Sequence, residues 1–182
     1  MYILVAPETT AVDLTTVKRH CRIDHTDDDV YLTSLINVAT ETIEEEVQKT
    51  LVTTSYRLQI DAFPCGVFQV PFPPLITIDE ISYQLSGERE VLSSSKYQVD
   101  ESNVPGRLKI LQQPSHDSVM GGIWIDFTAG HEPANVPAKL KHCLLMLVSH
   151  LYEMREPVTT LNIKDVPWSI QLLLNQEKWN LF

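Results

Sequence analysis

Ile123-Trp-Ile-Asp-Phe-Thr-Ala-Gly130-His-Glu-Pro-Ala-Asn-Val-Pro137-Ala-Lys-Leu140-Lys-His-Cys-Leu-Leu-Met-Leu-Val-Ser-His150-Leu-Tyr-Glu-Met-Arg-Glu156 is the stretch that decides the fold. In its first part Ile123, Ile125 and Phe127 alternate with Trp124 and Asp126, the period-two pattern of a strand with one side buried. Gly130 ends that strand. Pro137 falls in the first turn of the next element, where a helix tolerates proline because that N–H would lack a partner anyway, and a helix is predicted over 137–155. Leu140, Cys143, Leu144, Leu147, Val148 and Leu151 recur at helical spacing, while Leu145, Met146 and Tyr152 widen the apolar face beyond one stripe. Such a helix must be covered on most sides. Either it runs through the core under two layers, or it also meets a neighbouring subunit.

Working upstream, Asp13 is placed to cap a short helix over 14–21, with Leu14, Val17 and Cys21 on one side. Asp27 or Asp28 caps a longer helix over 28–49, in which Leu32, Leu35, Ile36, Ala39, Ile43 and Val47 keep the helical period. Between residues 56 and 129 the texture changes to short alternating segments punctuated by Pro, Gly and Ser, the pattern of an antiparallel sheet. Strands are predicted at 56–61, 67–70, 76–84, 90–92, 107–111 and 123–129; Pro71, Pro73 and Pro74 bar a central strand between them, and Ser86-Gly87 suits a hairpin turn. Downstream, Pro157 stops the chain, and a last helix from Pro167 to about Lys178 leads into an apolar end carrying Trp168, Leu172, Leu173, Trp179, Leu181 and Phe182. The expected class is α+β: a mostly helical core of two N-terminal helices, one long apolar helix and a C-terminal helix, with an inserted antiparallel β region. Residues 1–156 are read as one domain and 157–182 as a linker and helical arm.

Composition narrows the function. Hydrophobic residues make up 43% and charged residues 21%, which suits a folded globular chain. The apolar run Cys143–Val148 is far short of the roughly 20 residues that span a bilayer, so no membrane partner is expected. Met1 to Ala6 lacks a basic leader and is cut short by Pro7 and Glu8, so it reads as a short strand or arm. Cys21, Cys65 and Cys143 are odd in number and form no C-x-x-C pair, which fits a reducing compartment. Net charge is −10, and eight of the 24 acids lie within residues 24–46, which hold no Lys or Arg. A protein that grips DNA needs the reverse. Asp27, Asp28, Asp29, Glu41, Glu44 and Glu45 therefore form either a solvated face or a wall past which DNA slides without sticking.

No catalytic, metal or cofactor residues are assigned. His20, Cys21, Asp24 and His25 match no spacing that closes a tetrahedral metal site. The run from Asp24 fails as a calcium loop, since Asp29 stands where glycine is needed and Leu35 where a bidentate Glu is needed. Ser115-His116-Asp117-Ser118 holds hydrolase residue types, but adjacent turn residues cannot meet as a triad. There is no Walker loop, nucleophile elbow or dinucleotide fingerprint. Two other readings stay open on sequence alone: a divalent-metal hydrolase using Asp24, Asp27 and Asp28 with His25, and a partner-binding or chaperone-like module acting through the apolar tail.

Taken in order, Leu14-Thr-Thr-Val-Lys-Arg-His-Cys-Arg-Ile-Asp24, Asp28-Asp-Val-Tyr-Leu32, Tyr97-Gln-Val-Asp100, Pro105-Gly-Arg-Leu108, Phe127-Thr-Ala-Gly130, Val136-Pro137 and His150-Leu-Tyr-Glu-Met-Arg155 resemble successive blocks of phage head-tail connector, or adaptor, proteins of long-tailed phages, prophages and gene transfer agents. The resemblance covers about residues 10–156. The chain departs from it at Gln48-Lys49-Thr50, where family members often carry glycine, and at Gly130-His-Glu132, where they often carry Gly-Tyr-Gly. The resemblance implies a structural, non-enzymatic virion protein of the neck, assembled in the host bacterial cytoplasm without cofactors. It implies a dodecameric ring of identical copies beneath the portal protein, joined to a tail-completion or stopper protein, with DNA passing through the channel without tight binding. Heterologous contacts would close such a ring, and Leu145, Met146, Tyr152, Trp168, Leu172, Leu173, Trp179, Leu181 and Phe182 are the candidate subunit or partner contacts.

Overall fold

The computed structural model describes residues 2–154 and 168–178, and it divides the chain into two compact units, each built from two stretches of sequence. The class is α+β, with antiparallel sheets in one unit and helices in the other.

The first unit, residues 1–8 and 52–131, is the strand unit. Its larger sheet takes β1 (Tyr2–Val5), β2 (Thr54–Ile60), β4 (Leu75–Leu85), β5 (Glu88–Val91) and β8 (Ile123–Ala129) in the order β1-β2-β8-β4-β5, all neighbours antiparallel. The smaller sheet is β3 (Val67–Gln69), β7 (Arg107–Ile110) and β6 (Tyr97–Asp100), in the order β3-β7-β6. The predicted strand over 123–129 is thus the central strand of the larger sheet. Its alternation is the reason: Ile123, Ile125 and Phe127 are fully buried, and Phe127 lies opposite Tyr56 on one side and Ile78 on the other. The Tyr56 and Phe127 rings stack with centroids 5.5 Å apart. Leu108 of the smaller sheet belongs to the same core cluster as these residues. The strand unit therefore has a core of its own rather than decorating a helical one.

Turn chemistry agrees with the residues that make it. Ser86 and Gly87 both have positive φ (55° and 84°) and form the two-residue turn between β4 and β5, which the twist of paired strands favours. Gly130 has φ 110°, and a Cβ there would lie 2.6 Å from the Val52 carbonyl carbon, so only glycine fits where β8 passes that backbone. Beside it Val52 bridges to His131, and the Thr53 N–H donates to the His131 carbonyl at 3.0 Å, so the two ends of the long β segment lie side by side.

The second unit, residues 9–51 and 132–182, holds α1 (Leu14–Cys21), α2 (Asp29–Val47), α3 (Ala138–Glu153) and α4 (Trp168–Glu177). The Asp13 carboxylate accepts from the Thr16 N–H and caps α1 as expected. On α2 the six apolar residues picked out by periodicity are all buried. Leu140, Cys143, Leu144, Leu147 and Val148 of α3 are buried as well, while Leu145 and Met146 are half-buried. Helix α2 ends at Gln48 with φ 55°, the left-handed cap that glycine adopts at least cost, and Gln48 Nε2 donates to the Glu45 carbonyl at 2.6 Å.

Candidate assembly surfaces

Several carboxylates of the acidic run have partners within the helical unit. Asp28 occupies the N-cap position of α2, yet its side chain makes no capping bond; it accepts instead from the Tyr152 hydroxyl at 2.6 Å. Asp29 pairs with Lys18 at 2.6 Å. The Glu44 carboxylate accepts from the Leu51 N–H at 2.6 Å, and Glu46 pairs with Lys178 at 2.9 Å. Asp27, Glu41 and Glu45 are exposed, and of these Glu41 and Glu45 lie one turn apart along α2.

The apolar candidates separate in the same way. Tyr152 is held within its own unit by the Asp28 bond and by the Tyr31 ring, centroids 6.2 Å apart. On α4 the buried side chains are Ile170 and Leu174, neither of which hydropathy alone distinguished, while Leu172 is 46% exposed and Leu173 half-buried. Ion pairs add to this packing: Lys49 and Lys139 both reach Glu177, at 3.5 and 3.4 Å. Trp168 begins α4. Trp179, Leu181 and Phe182, together with the stop at Pro157 and the linker after it, lie outside the described residues.

The larger sheet carries a polar network on the side opposite its core. Arg57 donates through Nε to Asp126 Oδ1 at 2.6 Å and through a second nitrogen to Oδ2. The paired carboxylate of Asp126, together with the Tyr2 hydroxyl, pushes the Arg57 pKa up. Arg89 lies over the Trp124 ring, 5.2 Å from its centroid, and donates to Ser82 Oγ and Glu80 at 2.9 Å each. These bonds let a Trp-bearing sheet face meet water without unpaired buried polar atoms.

Residues with catalytic potential on paper have structural work. Asp117 accepts the Gly87 and Ser86 N–H groups at 2.9 and 3.0 Å, which holds its carboxyl below the usual range and fastens the β4–β5 turn. The His116 and Phe63 rings pack nearly perpendicular to one another, centroids 5.2 Å apart. Burial pushes the Cys21 and Cys143 thiols up, away from thiolate reactivity. Among the described residues no three His, Cys, Asp or Glu side chains gather where they could hold a metal ion, and no helix is long and apolar enough to cross a membrane.

Exposed groups among the described residues include Glu41 and Glu45 on α2, Leu172 on α4 and all four side chains of the edge strand β1. Comparison with known proteins gives these groups a context. A family model described as phage gp6-like head-tail connector protein matches residues 11–113. No curated protein sequence matches the chain. Among solved structures, the neck of an empty gene transfer agent (GTA) particle computed with C6 symmetry is similar over 100% of this chain and 96% of its own, with TM-score 0.83 and 21% identity. A chain from the virion of a native GTA particle is similar over 100% and 96%, with TM-score 0.81 and 20% identity. A chain from the neck of a native GTA particle computed with C12 symmetry is similar over 100% and 97%, with TM-score 0.73 and 22% identity. At these identities the likeness is one of fold.

Proposed function

Because the chain belongs to the phage gp6-like head-tail connector family, we propose that it is a ring subunit of a virion neck, joining head to tail by binding rather than by turnover. In this reading twelve copies close a ring by heterologous contacts, each showing one surface to the left and a different one to the right. The ring docks beneath the portal protein on one side and meets a tail-completion or stopper protein on the other. It forms in the host bacterial cytoplasm and stays in the neck. The observation that carries the reading is the family match across 11–113, supported by a whole-chain fold likeness to GTA neck proteins.

Residues 1–156 act as the connector domain, with α3 as its long apolar helix, and 157–182 as a linker and arm. The half-buried Leu145 and Met146, with Leu172 and Leu173, contribute to the contacts between copies or with the portal. Tyr152 contributes through the α2–α3 packing that it fastens. The tail residues Trp168, Trp179, Leu181 and Phe182 complete the arm's contact. The exposed carboxylates of Asp27, Glu41 and Glu45 face the channel, where like charge keeps DNA from adhering; Asp28, Asp29 and Glu44 support that face from its flank.

Electron microscopy of the protein alone and mixed with its portal tests this reading. Rings, or a cap on the portal, are expected. A chain that stays monomeric at high concentration and leaves the portal bare would sink it.

A further inference from the structure

Strand β1 is held to its sheet by its backbone and by little else. It contributes nothing to the core cluster of the strand unit. All four of its side chains are exposed, from 39% at Leu4 to 59% at Val5, although the strand is hydrogen-bonded along one edge. Its ladder with β2 has three register pairs, Tyr2 with Arg57, Ile3 with Tyr56 and Val5 with Ser55, and a shift interrupts it between Ile3 and Val5. Its described connection to the rest of the chain, residues 6–10, is exposed throughout and carries Pro7. The opposite outer strand, β5, is built differently. Glu88, Arg89 and Glu90 put charge along it, the usual protection of a sheet edge against a second chain. β1 has no charged residue, only Tyr, Ile, Leu and Val.

We propose that β1 is exchanged between neighbouring copies, so that β1 of one chain pairs with the β2 edge of the next. The proposal rests on the ring reading above. The occupant of the β2 edge is already seen, since β1 of the same chain sits on it with a defined register and with its Tyr2 hydroxyl against Arg57. An identical segment from another copy remakes every one of those contacts, so exchange loses no pairing, and its only requirements are an exposed hinge and a strand that leaves without opening a core. Both are met here. Exchange also runs in one direction: each copy gives a strand to one neighbour and receives one from the other, as a closed head-to-tail ring demands.

The test places cysteines at the paired positions Val5 and Ser55 (V5C, S55C) with exposed Cys65 replaced by Ser, and assembles rings from isotopically light and heavy chain. A short bis-maleimide then links the pair, with chains carrying V5C alone or S55C alone as blanks that also account for any reaction at Cys21. Expected are a covalent ladder on a denaturing gel and hybrid light–heavy linked peptides in rings, against internal links alone in unassembled chain. Rings whose links are all within one chain overturn exchange while leaving the ring reading standing. A parent chain that forms no ring, with or without portal, overturns both. If the cysteine variant does not assemble, a chain lacking residues 2–6 decides: unchanged circular dichroism with loss of rings supports exchange, and rings of unchanged size refute it.

Discussion

Helix α4 offers the sharpest test of which contacts belong to the fold and which are left for assembly. Ile170 and Leu174 are one turn apart and fully or almost fully buried in the helical unit, whereas Leu172 stands 46% exposed on another side of the same helix. Truncating a buried Leu or Ile to Ala removes its transfer free energy and leaves a cavity, a cost of about 2–5 kcal/mol. Full burial of a leucine side chain is worth about 1.5–3 kcal/mol, so one with nearly half its surface in water stands to lose roughly 1 kcal/mol or less. Leu174→Ala is therefore expected to lower stability by at least ~2 kcal/mol and Leu172→Ala by no more than ~1 kcal/mol. Urea unfolding of each variant, followed by far-ultraviolet circular dichroism, reads the difference directly from the midpoint at unchanged slope. Leu172→Ala should then weaken ring formation or portal binding at little cost in stability. Equal stability losses for the two substitutions would refute the difference in packing between the two sides of α4.

Local geometry sets three further outcomes. Gln48→Gly should stabilise the chain by about 0.5–1 kcal/mol, because glycine relieves the left-handed cap of α2, and thermal unfolding checks it; a loss of stability would mean that the Gln48–Glu45 bond outweighs the backbone strain. Gly130→Ala should cost ~2 kcal/mol or more, since a side chain at φ 110° would meet the Val52 backbone, and a melting temperature equal to the parent's would contradict that close approach. The Asp117 carboxyl is held below its ordinary range by the Gly87 and Ser86 N–H groups, so the stability it lends is present above the unfolded Asp pKa and is lost as pH falls through the depressed folded value. The Ser86 and Gly87 amide resonances should titrate with that low midpoint, and a midpoint at or above the usual Asp value would remove the carboxylate from the turn.

Periodicity made the helices at 29–47 and 138–153 and the central strand at 123–129 legible, because each buries one set of residues at a single repeat. Strand β6, Tyr97–Asp100, is not legible in that way: it follows the helical turn Ser94–Lys96 without a break, and its pairing with β7 defines it. The separate core of the strand unit is equally hidden, since it gathers residues as distant in sequence as Tyr56, Leu108 and Phe127 into one cluster. In α4 the sequence Trp168-Ser-Ile-Gln-Leu-Leu-Leu174 is apolar on several sides, so hydropathy does not tell Leu174, which is buried, from Leu172, which is not. The acidic run is legible only in part. Charge counts show how many carboxylates a segment holds, but only the fold shows that Asp29, Glu44 and Glu46 already have partners.

The bridge between Val52 and His131 also bears on how the chain folds. The helical unit must join residues 51 and 132 across the whole β segment, and closing a flexible loop of that length would cost on the order of 4 kcal/mol in chain entropy. With the ends of that segment already tied by the Thr53–His131 hydrogen bond, the connection behaves as a turn of a few residues, and the cost falls by about 2–3 kcal/mol. The strand unit thus acts as a covalent clasp for the helices on either side of it in the sequence. If it forms first, α2 and α3 meet as near neighbours along the chain, and the effective contact order of their pairing collapses from tens of residues to a handful.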